Sequence, residues 1–183
     1  MVTFSPDYKY ILSANEGEPR EGYSATGAID PKGSVTIIDI TKGVNKATVQ
    51  TIGFEKFDTA DARSELVENN VLLKPNTAPS VDLEPEYITV SDNNHYAYVS
   101  LQEANALATI DIKAEEIINV KGLGFKDYNL EKNSLDALKD GQVNLATQNL
   151  YGTYMPDGIA AQKIDGKNYI FTANEGDARE WGD

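Results

Sequence analysis

The sequence predicts an all-β fold made of repeated four-stranded units, and three observations lead to this prediction. Short apolar runs of strand type alternate with turn residues along most of the chain. Tyrosine, which is common in strands, occurs 10 times. Most informative, one motif occurs three times, each time as an apolar run that ends in a side-chain amide followed by a glutamate. Its copies are Ser13-Ala14-Asn15-Glu16, Ser100-Leu101-Gln102-Glu103 and Thr172-Ala173-Asn174-Glu175.

The second unit, residues 84–125, shows the pattern most clearly. Aspartate and asparagine at 92–94 form a turn, because both residues tolerate a left-handed backbone and bond to their own main chain. Strands are predicted over residues 87–91, 96–101, 106–112 and 117–120. Four short strands joined by local turns within about forty residues are typical of one blade of a β-propeller.

The first and third units follow the same order. Residues 1–54 repeat all four strands, and residues 154–183 repeat the first two. We therefore expect about two and a half four-stranded blades, with complete units near residues 2–54 and 86–121. A propeller closes with roughly four to eight blades, so the sequence is expected to be a fragment of a longer protein. A small open β-sandwich built from the same strands is the alternative.

Two insertions separate the units. Residues 55–83 contain a predicted helix within 58–73, with Asp58 as its N-cap. Residues 126–153 are polar and carry little strand signal, so we expect an excursion on one face of the sheets. In the third unit the second strand has no third strand beside it, and its edge is expected to recruit another chain by strand exchange.

Composition limits the partners of the chain. Its net charge of −13 excludes the basic surface that nucleic-acid binding requires, and it favours cations as partners. The absence of cysteine excludes disulfides and thiolate metal sites. No apolar run approaches the roughly 20 residues of a membrane-spanning helix, and strand-type sequence follows Met1 directly. Neither a membrane span nor a signal peptide is therefore expected in this stretch.

Acidic residues recur at two places in the repeated units. Glu16, Glu103 and Glu175 follow the second strands, while Glu86 and Asp157 follow a proline at the entrance to first strands. Because the strands of a blade alternate in direction, both places face the same mouth of the channel. Carboxylates crowded together without cysteine or several histidines suit a hard cation, Ca²⁺ or Mg²⁺. These five residues are the predicted metal ligands.

Amide and guanidinium groups adjoin the acids. Asn15, Gln102 and Asn174 are predicted to add oxygen ligands, although amide–acid pairs at strand ends also satisfy the backbone of turns. Arg20 and Arg179 follow the first and third copies of the motif and are predicted to hold a small anionic ligand. An ion pair with a neighbouring acid in the same loop is the alternative for each arginine.

The chain offers little for other chemistry. Its single histidine, His95, lies in a turn at the opposite end of the unit from the acids, which argues against a serine–histidine–aspartate triad. No glycine loop of the P-loop or dinucleotide-binding type is present. No catalytic residue is therefore predicted.

Four longer segments resemble the choice-of-anchor I family, a group of bacterial surface or secreted β-propellers: Asp82–Ile88, Leu101–Ala106, Tyr154–Ala160 and Thr172–Arg179. Proteins of this family are often catalogued as alkaline phosphatase-like, and they are similar to the mesenchyme-specific cell-surface glycoproteins of animals. The resemblance covers nearly the whole chain. It implies a YVTN-like propeller outside the cytoplasm, with calcium as a ligand.

Two functions follow from these residues. The first is a non-catalytic surface module that binds a cation or a partner at the acidic mouth. The second is a metal-dependent alkaline phosphatase or phosphodiesterase, in which the five acids hold Ca²⁺ or a similar ion and the two arginines bind phosphate. In that second case the metal activates water and offsets the phosphate charge.

Overall fold

Two four-stranded antiparallel sheets form the centre of the molecule. The computed structural model describes residues 1–19 and 29–178. The first sheet contains, in spatial order, β1 (Val2–Phe4), β2 (Tyr10–Asn15), β3 (Ser34–Asp39) and β4 (Thr48–Gly53). The second contains, in the same order, β5 (Pro85–Val90), β6 (Tyr96–Leu101), β7 (Ala106–Asp111) and β8 (Glu116–Gly122). The described structure is thus mostly β, which confirms the predicted class, and both expected four-stranded units are present.

Two smaller sheets complete the described structure. A long hairpin is formed by β11 (Pro156–Ile164) and β12 (Lys167–Asn174). Within residues 126–153, β9 (Lys126–Asp127) pairs with β10 (Tyr151–Gly152), and Leu135 bridges to Ala146. This polar segment therefore has more strand pairing than its sequence indicates. The division of the chain into blades and insertions stays a prediction.

The second sheet packs between the first sheet and the hairpin. Strand β5 contacts β1 and β2, and both β5 and β6 also contact β11. Five consecutive residues of β6, from Ala97 to Leu101, are buried as a result, whereas alternate residues are buried in β2 and β3. Alternating burial is expected of a sheet with one covered face, and continuous burial of a sheet covered on both faces.

The same turn joins the first two strands of both sheets. The Ser5 hydroxyl oxygen accepts from the backbone N–H of Tyr10 at 3.0 Å, and Ser91 does the same for Tyr96 at 3.0 Å. Tyr8 and Asn94 occupy the same place in the two turns, with left-handed φ angles of 58° and 59°. Both serines are buried, so each hydroxyl replaces water for main-chain groups that would otherwise lose their partners.

The insertion contains a helix within the predicted range, but a different residue caps it. Helix α1 spans Ala60–Glu68 and is capped by Thr59, whose hydroxyl accepts from the Ala62 N–H at 3.3 Å. Asp58 was the predicted cap, but its carboxylate instead accepts from the backbone N–H and hydroxyl of Ser80 at 2.8 and 2.7 Å. Ser80 belongs to the short helix α2, Pro79–Asp82. Asp58 thus ties the two ends of the insertion together.

The outer edge of the hairpin is open among the residues that the structure describes. There β12 pairs only with β11, and its Tyr169 and Phe171 side chains are exposed. An unpaired strand edge is able to recruit another strand. Strand exchange at this edge stays a prediction.

We expect that replacing Ser5 or Ser91 by alanine lowers the free energy of unfolding by about 1–3 kcal/mol, because partly buried backbone N–H groups lose their acceptor. Urea unfolding followed by circular dichroism would measure this loss. Ser64, which is exposed on α1, is the control, and its replacement should change stability by no more than about 0.5 kcal/mol. Equal effects of the Ser91 and Ser64 replacements would contradict the structural role of the turn.

Candidate functional site

A β-bulge directs an acidic side chain at the start of two strands. Pro85 pairs with Leu101, but the next pair joins Ile88 to Val99, so β5 holds one residue more than β6 in this interval. Strand β11 has the same irregularity between Pro156 and Ile159. A bulge bends its strand and changes the direction of the side chains that it contains. The residues inside the two bulges include Glu86 and Asp157, so these two predicted ligands occupy equivalent positions.

Glu86 lies at the centre of a group of carboxylates. Its pKa is raised to about 8, first by burial and then by four neighbouring carboxylates, those of Glu103, Glu16, Asp157 and Glu84. Burial disfavours the charged form, and like charges nearby disfavour it further. The carboxylates therefore come together in space although they belong to three different repeats.

Glu16 shows the same electrostatic environment. Burial raises its pKa, and the carboxylates of Glu18 and Glu103 raise it further, while the positive chain terminus acts in the opposite direction. Glu16 follows β2 and Glu103 follows β6, so the ends of the two second strands meet at one end of the sheets. We call the group of Glu16, Glu84, Glu86, Glu103 and Asp157 the acidic mouth.

Glu175, the fifth predicted ligand, stands apart from this group. Its side chain is exposed, and its carboxylate is not among those that raise the pKa of Glu86 or Glu16. Its backbone N–H donates to the Met155 carbonyl at 3.1 Å, which extends the hairpin by one step. The structure thus brings four of the five predicted acids together and leaves Glu175 outside.

The glutamates of the first and second motifs are not equivalent in the structure. Val2 pairs with Ser13, and Ile88, at the same place in its sheet, pairs with Val99. Counting three residues onward places Gln102, rather than Glu103, at the position of Glu16. The sequence comparison matched amide–acid pairs, whereas the true register is set by the turn serines. Glu103 still joins the mouth because it lies one residue further along the same connection.

The predicted amide ligands differ in their surroundings. Asn15 is engaged within its own sheet, since its Nδ2 donates to Ser34 and Thr36 at 3.1 and 3.0 Å and its Oδ1 accepts from Ser13 at 2.9 Å. Gln102 is buried, and Asn174 is exposed. A role as ligands stays a prediction for all three amides. Arg20 and Arg179 lie outside the described residues.

A buried lysine near the mouth escaped the sequence analysis. Lys74 is 6% exposed and forms ion pairs with Asp30 at 3.1 Å and Asp82 at 3.5 Å. With Glu103 and Met155 it also lines a cleft of about 220 Å³. Lysine is almost never fully buried unless it is paired, so its position reflects the acids around it. The signal in the sequence was a lone lysine that closes the apolar run Val71-Leu72-Leu73.

Asn105 fixes the entrance to the hairpin against the second sheet. Its fully buried side chain accepts from the N–H groups of Tyr154 and Met155 at 2.8 and 3.1 Å, and it donates to the Gly124 carbonyl at 2.8 Å. Asp157 follows directly after this clamp. The contact therefore determines how close Asp157 comes to Glu86.

All residues of the chain, 1–183, match the family model of the choice-of-anchor I domain. The chain belongs to this family. The match confirms the resemblance stated above, and membership indicates a surface-associated module. No curated protein matches the sequence. Among the described residues, no helix is both long and apolar enough to span a membrane.

The acidic mouth of this choice-of-anchor I domain offers oxygen ligands only, which is the donor set of Ca²⁺ and Mg²⁺. However, within residues 1–19 and 29–178, no three acidic or histidine side chains are arranged closely enough to hold a metal ion. The described carboxylates fit a hard cation in chemistry and charge but do not form a closed cage.

The raised pKa of Glu86 predicts how stability changes with pH. An unfolded glutamate titrates near 4.5, whereas Glu86 in the folded domain titrates near 8, so the folded state binds this proton more tightly. The free energy of unfolding should therefore fall as the pH rises from about 4.5 to about 8. Urea unfolding at a series of pH values would measure this slope.

The matched variants are Glu86→Gln, which should flatten the slope, and Glu68→Gln, an exposed control that should leave it unchanged. If Glu86→Gln keeps the slope of the wild-type domain, the titrating group is not Glu86.

Proposed function

We propose that this choice-of-anchor I domain is a surface β-propeller module that binds a hard cation, Ca²⁺ or Mg²⁺, at its acidic mouth. The observation that carries the proposal is the meeting of carboxylates from three repeats around Glu86. Such a group costs stability when all its members are ionised, because each charge repels the others. A divalent cation removes that cost without protonation, so cation and proton compete for the same carboxylates.

We expect the acidic mouth to bind the cation with low affinity. Since the described residues do not enclose an ion, water has to complete the coordination shell, as in the weak sites of extracellular modules with dissociation constants of about 10⁻⁴–10⁻³ M. We expect the cation to be held by the carboxylates of Glu16, Glu86, Glu103 and Asp157 in part through bridging water. Asn15, Gln102, Asn174 and Glu175 stay proposed ligands on the sequence pattern alone, and the same holds for a small anionic ligand at Arg20 and Arg179.

The contacts between sheets support a YVTN-like propeller. In a propeller the first strands of successive blades lie next to one another around the central channel. Here the first strand β5 contacts the first strand β1 on one side and the first strand β11 on the other. The strand β5 also contacts β2, and β11 also contacts β6, but an open β-sandwich has no reason to place three first strands next to one another in succession. We accordingly propose an extracellular, bacterial surface propeller, of which this sequence contributes about two and a half blades.

The raised pKa of Glu86 also favours a second function, that of a metal-dependent phosphatase-like hydrolase. A carboxyl that titrates near 8 is mostly protonated at neutral pH, and it lies beside carboxylates. Pairs of acids whose pKa values are pushed apart supply a general acid and a general base in many hydrolases. In this reading Glu86 would protonate a leaving alkoxide, while Glu103 or Asp157 would accept a proton from water. Release of phosphate from 4-nitrophenyl phosphate, with and without Ca²⁺, tests it.

Calcium should raise the thermal midpoint of the domain, because a ligand that binds only the folded state stabilises it by mass action. At a free concentration ten times the dissociation constant, the gain is roughly 1.4 kcal/mol. Differential scanning calorimetry at pH 8 with 0–10 mM CaCl₂, approximately, covers the range expected for a weak site.

Glu103→Gln should reduce this calcium response, whereas Glu68→Gln, which removes an exposed charge on α1 that does not act on Glu86 or Glu16, should retain it. The location of Glu175 outside the mouth predicts a smaller effect for Glu175→Gln than for Glu103→Gln. An unchanged midpoint in both Ca²⁺ and Mg²⁺, together with no heat of binding by titration calorimetry, would show that the acids only cap turns.

A further inference from the structure

A second cleft lies at the opposite end of the two large sheets from the acidic mouth. It has a volume of about 320 Å³ and forms where the turns of the first sheet meet those of the second. The two turns are joined by one hydrogen bond, from the Asp7 backbone N–H to the Asn94 Oδ1 at 2.9 Å. The lining side chains come from four separate turns and from the first residue of β2: Asp7, Lys9, Tyr10, Thr41, Asn93, Asn94, His95 and Lys113.

Four side chains around this cleft, Asp7, Asp39, Asn93 and Asp111, each use one oxygen to accept hydrogen bonds within the turns. The Asp7 Oδ1 accepts from the Ser5 hydroxyl and the Lys9 N–H, at 2.7 and 3.2 Å. The Asn93 Oδ1 accepts from the Ser91 hydroxyl and the His95 N–H, at 2.8 and 3.1 Å. Asp39 and Asp111, at the ends of the third strands, likewise accept from N–H groups of the turns that follow them.

Several side-chain donors of the cleft face solvent instead of a protein acceptor. Among the described residues, no hydrogen-bond or ion-pair acceptor is present for the Tyr10 hydroxyl, the Thr41 hydroxyl, the side-chain NH₂ groups of Asn93 and Asn94, or the Lys113 ammonium. Burial and nearby carboxylates, those of Asp39, Asp7 and Glu115, raise the pKa of Tyr10. Its hydroxyl therefore keeps its proton and remains a donor. A ligand that complements this lining is rich in acceptor oxygens.

The charges limit the ligand to a small negative charge. Lys9 is paired with Asp7 at 3.5 Å, and the His95 Nε2 lies 3.4 Å from Asp111. Lys113 is then the one ammonium of the lining without a carboxylate partner in the part of the chain that the structure describes. The carboxylates that surround Tyr10 would repel a ligand with several negative charges. A single carboxylate facing Lys113 is therefore the most negative charge that the lining accepts, and neutral oxygens of the ligand have to make the remaining contacts.

We propose that this cleft binds a saccharide with a single carboxylate, of the uronic acid class. The carboxylate pairs with Lys113, and the ring and hydroxyl oxygens accept from Tyr10, Thr41, Asn93 and Asn94. The volume of the cleft is at the lower end of the range for small-molecule sites, which suits one sugar unit. The lining is open and partly exposed, so binding is weak and gains from several units in one polymer. The site is independent of the cation at the acidic mouth.

The test is a titration of the complete chain with sodium glucuronate, followed by the chemical shifts of amide protons in NMR spectra. The amide-proton chemical shifts of residues in the four turns should change in a saturable manner, and those of residues around Glu86 and Glu103 should stay constant. Glucose, which lacks the carboxylate, should bind at least threefold more weakly, and so should acetate, which lacks the sugar. Equal binding of acetate and glucuronate would overturn the proposal in favour of a simple anion patch.

Three variants locate the binding. Lys113→Met removes the ammonium but keeps the apolar stem, and Tyr10→Phe removes only the hydroxyl, so each should weaken glucuronate binding at least threefold. Lys121→Met is the matched control, because Lys121 is an exposed lysine at the other end of β8. The affinity of this variant for glucuronate should equal that of the wild-type chain. If Tyr10→Phe fails to fold, Lys113→Met alone decides. Absence of saturable shifts, or equal affinity of Lys113→Met and the wild type, would refute the proposed site.

Discussion

The packing of strands β5 and β6 between the first sheet and the hairpin is the constraint on which the rest of the structure depends. Ile88, Val99 and Leu101 are almost completely buried, and each contributes on the order of 1.5–3 kcal/mol relative to an exposed side chain. This packing fixes the strand ends that carry Glu86 and Glu103. Because several such side chains act together, their burial outweighs the repulsion among the carboxylates at the mouth. The acids are held close by the core and not by attraction to one another.

The helical insertion completes the mouth because two glycines let it approach the sheets. A side chain on Gly33 would collide with the carbonyl of Leu83, and one on Gly122 would collide with the backbone of Asn70. The close approach places Lys74, which compensates the charge of its ion-pair partner Asp82, on a cleft that Glu103 also lines. The remaining carboxylates still raise the pKa of Glu86, so compensation is incomplete. Incomplete compensation at a buried charged group is common where a protein binds a ligand.

The sequence predicted the fold better than it predicted the details of the site. Strand periodicity and turn residues are local signals, so the four-stranded units were found. Both Asp58 and Thr59 are good N-caps, and only the long-range bond from Asp58 to Ser80 decides between them. Likewise, the bulge at Glu86 depends on the register between β5 and β6. The ion pair of Lys74 with Asp30 depends on two residues that are distant in sequence. Such contacts leave no local pattern in the sequence.

The two ends of the sheets differ in chemistry because their connections differ in geometry. Tight turns, such as the one that contains Ser91 and Asn93, direct backbone N–H groups at their own side-chain oxygens, which leaves side-chain donors facing the cleft. At the mouth, Glu86 lies in a bulge and Glu103 in a connection, and their carboxylates face one another instead. Carboxylates therefore face one another at one end, whereas at the other end they accept from turn N–H groups, and the same strands run between the two ends. A repeated sheet of this kind is able to present two separate ligand surfaces, because strand ends and not strand faces carry the polar groups.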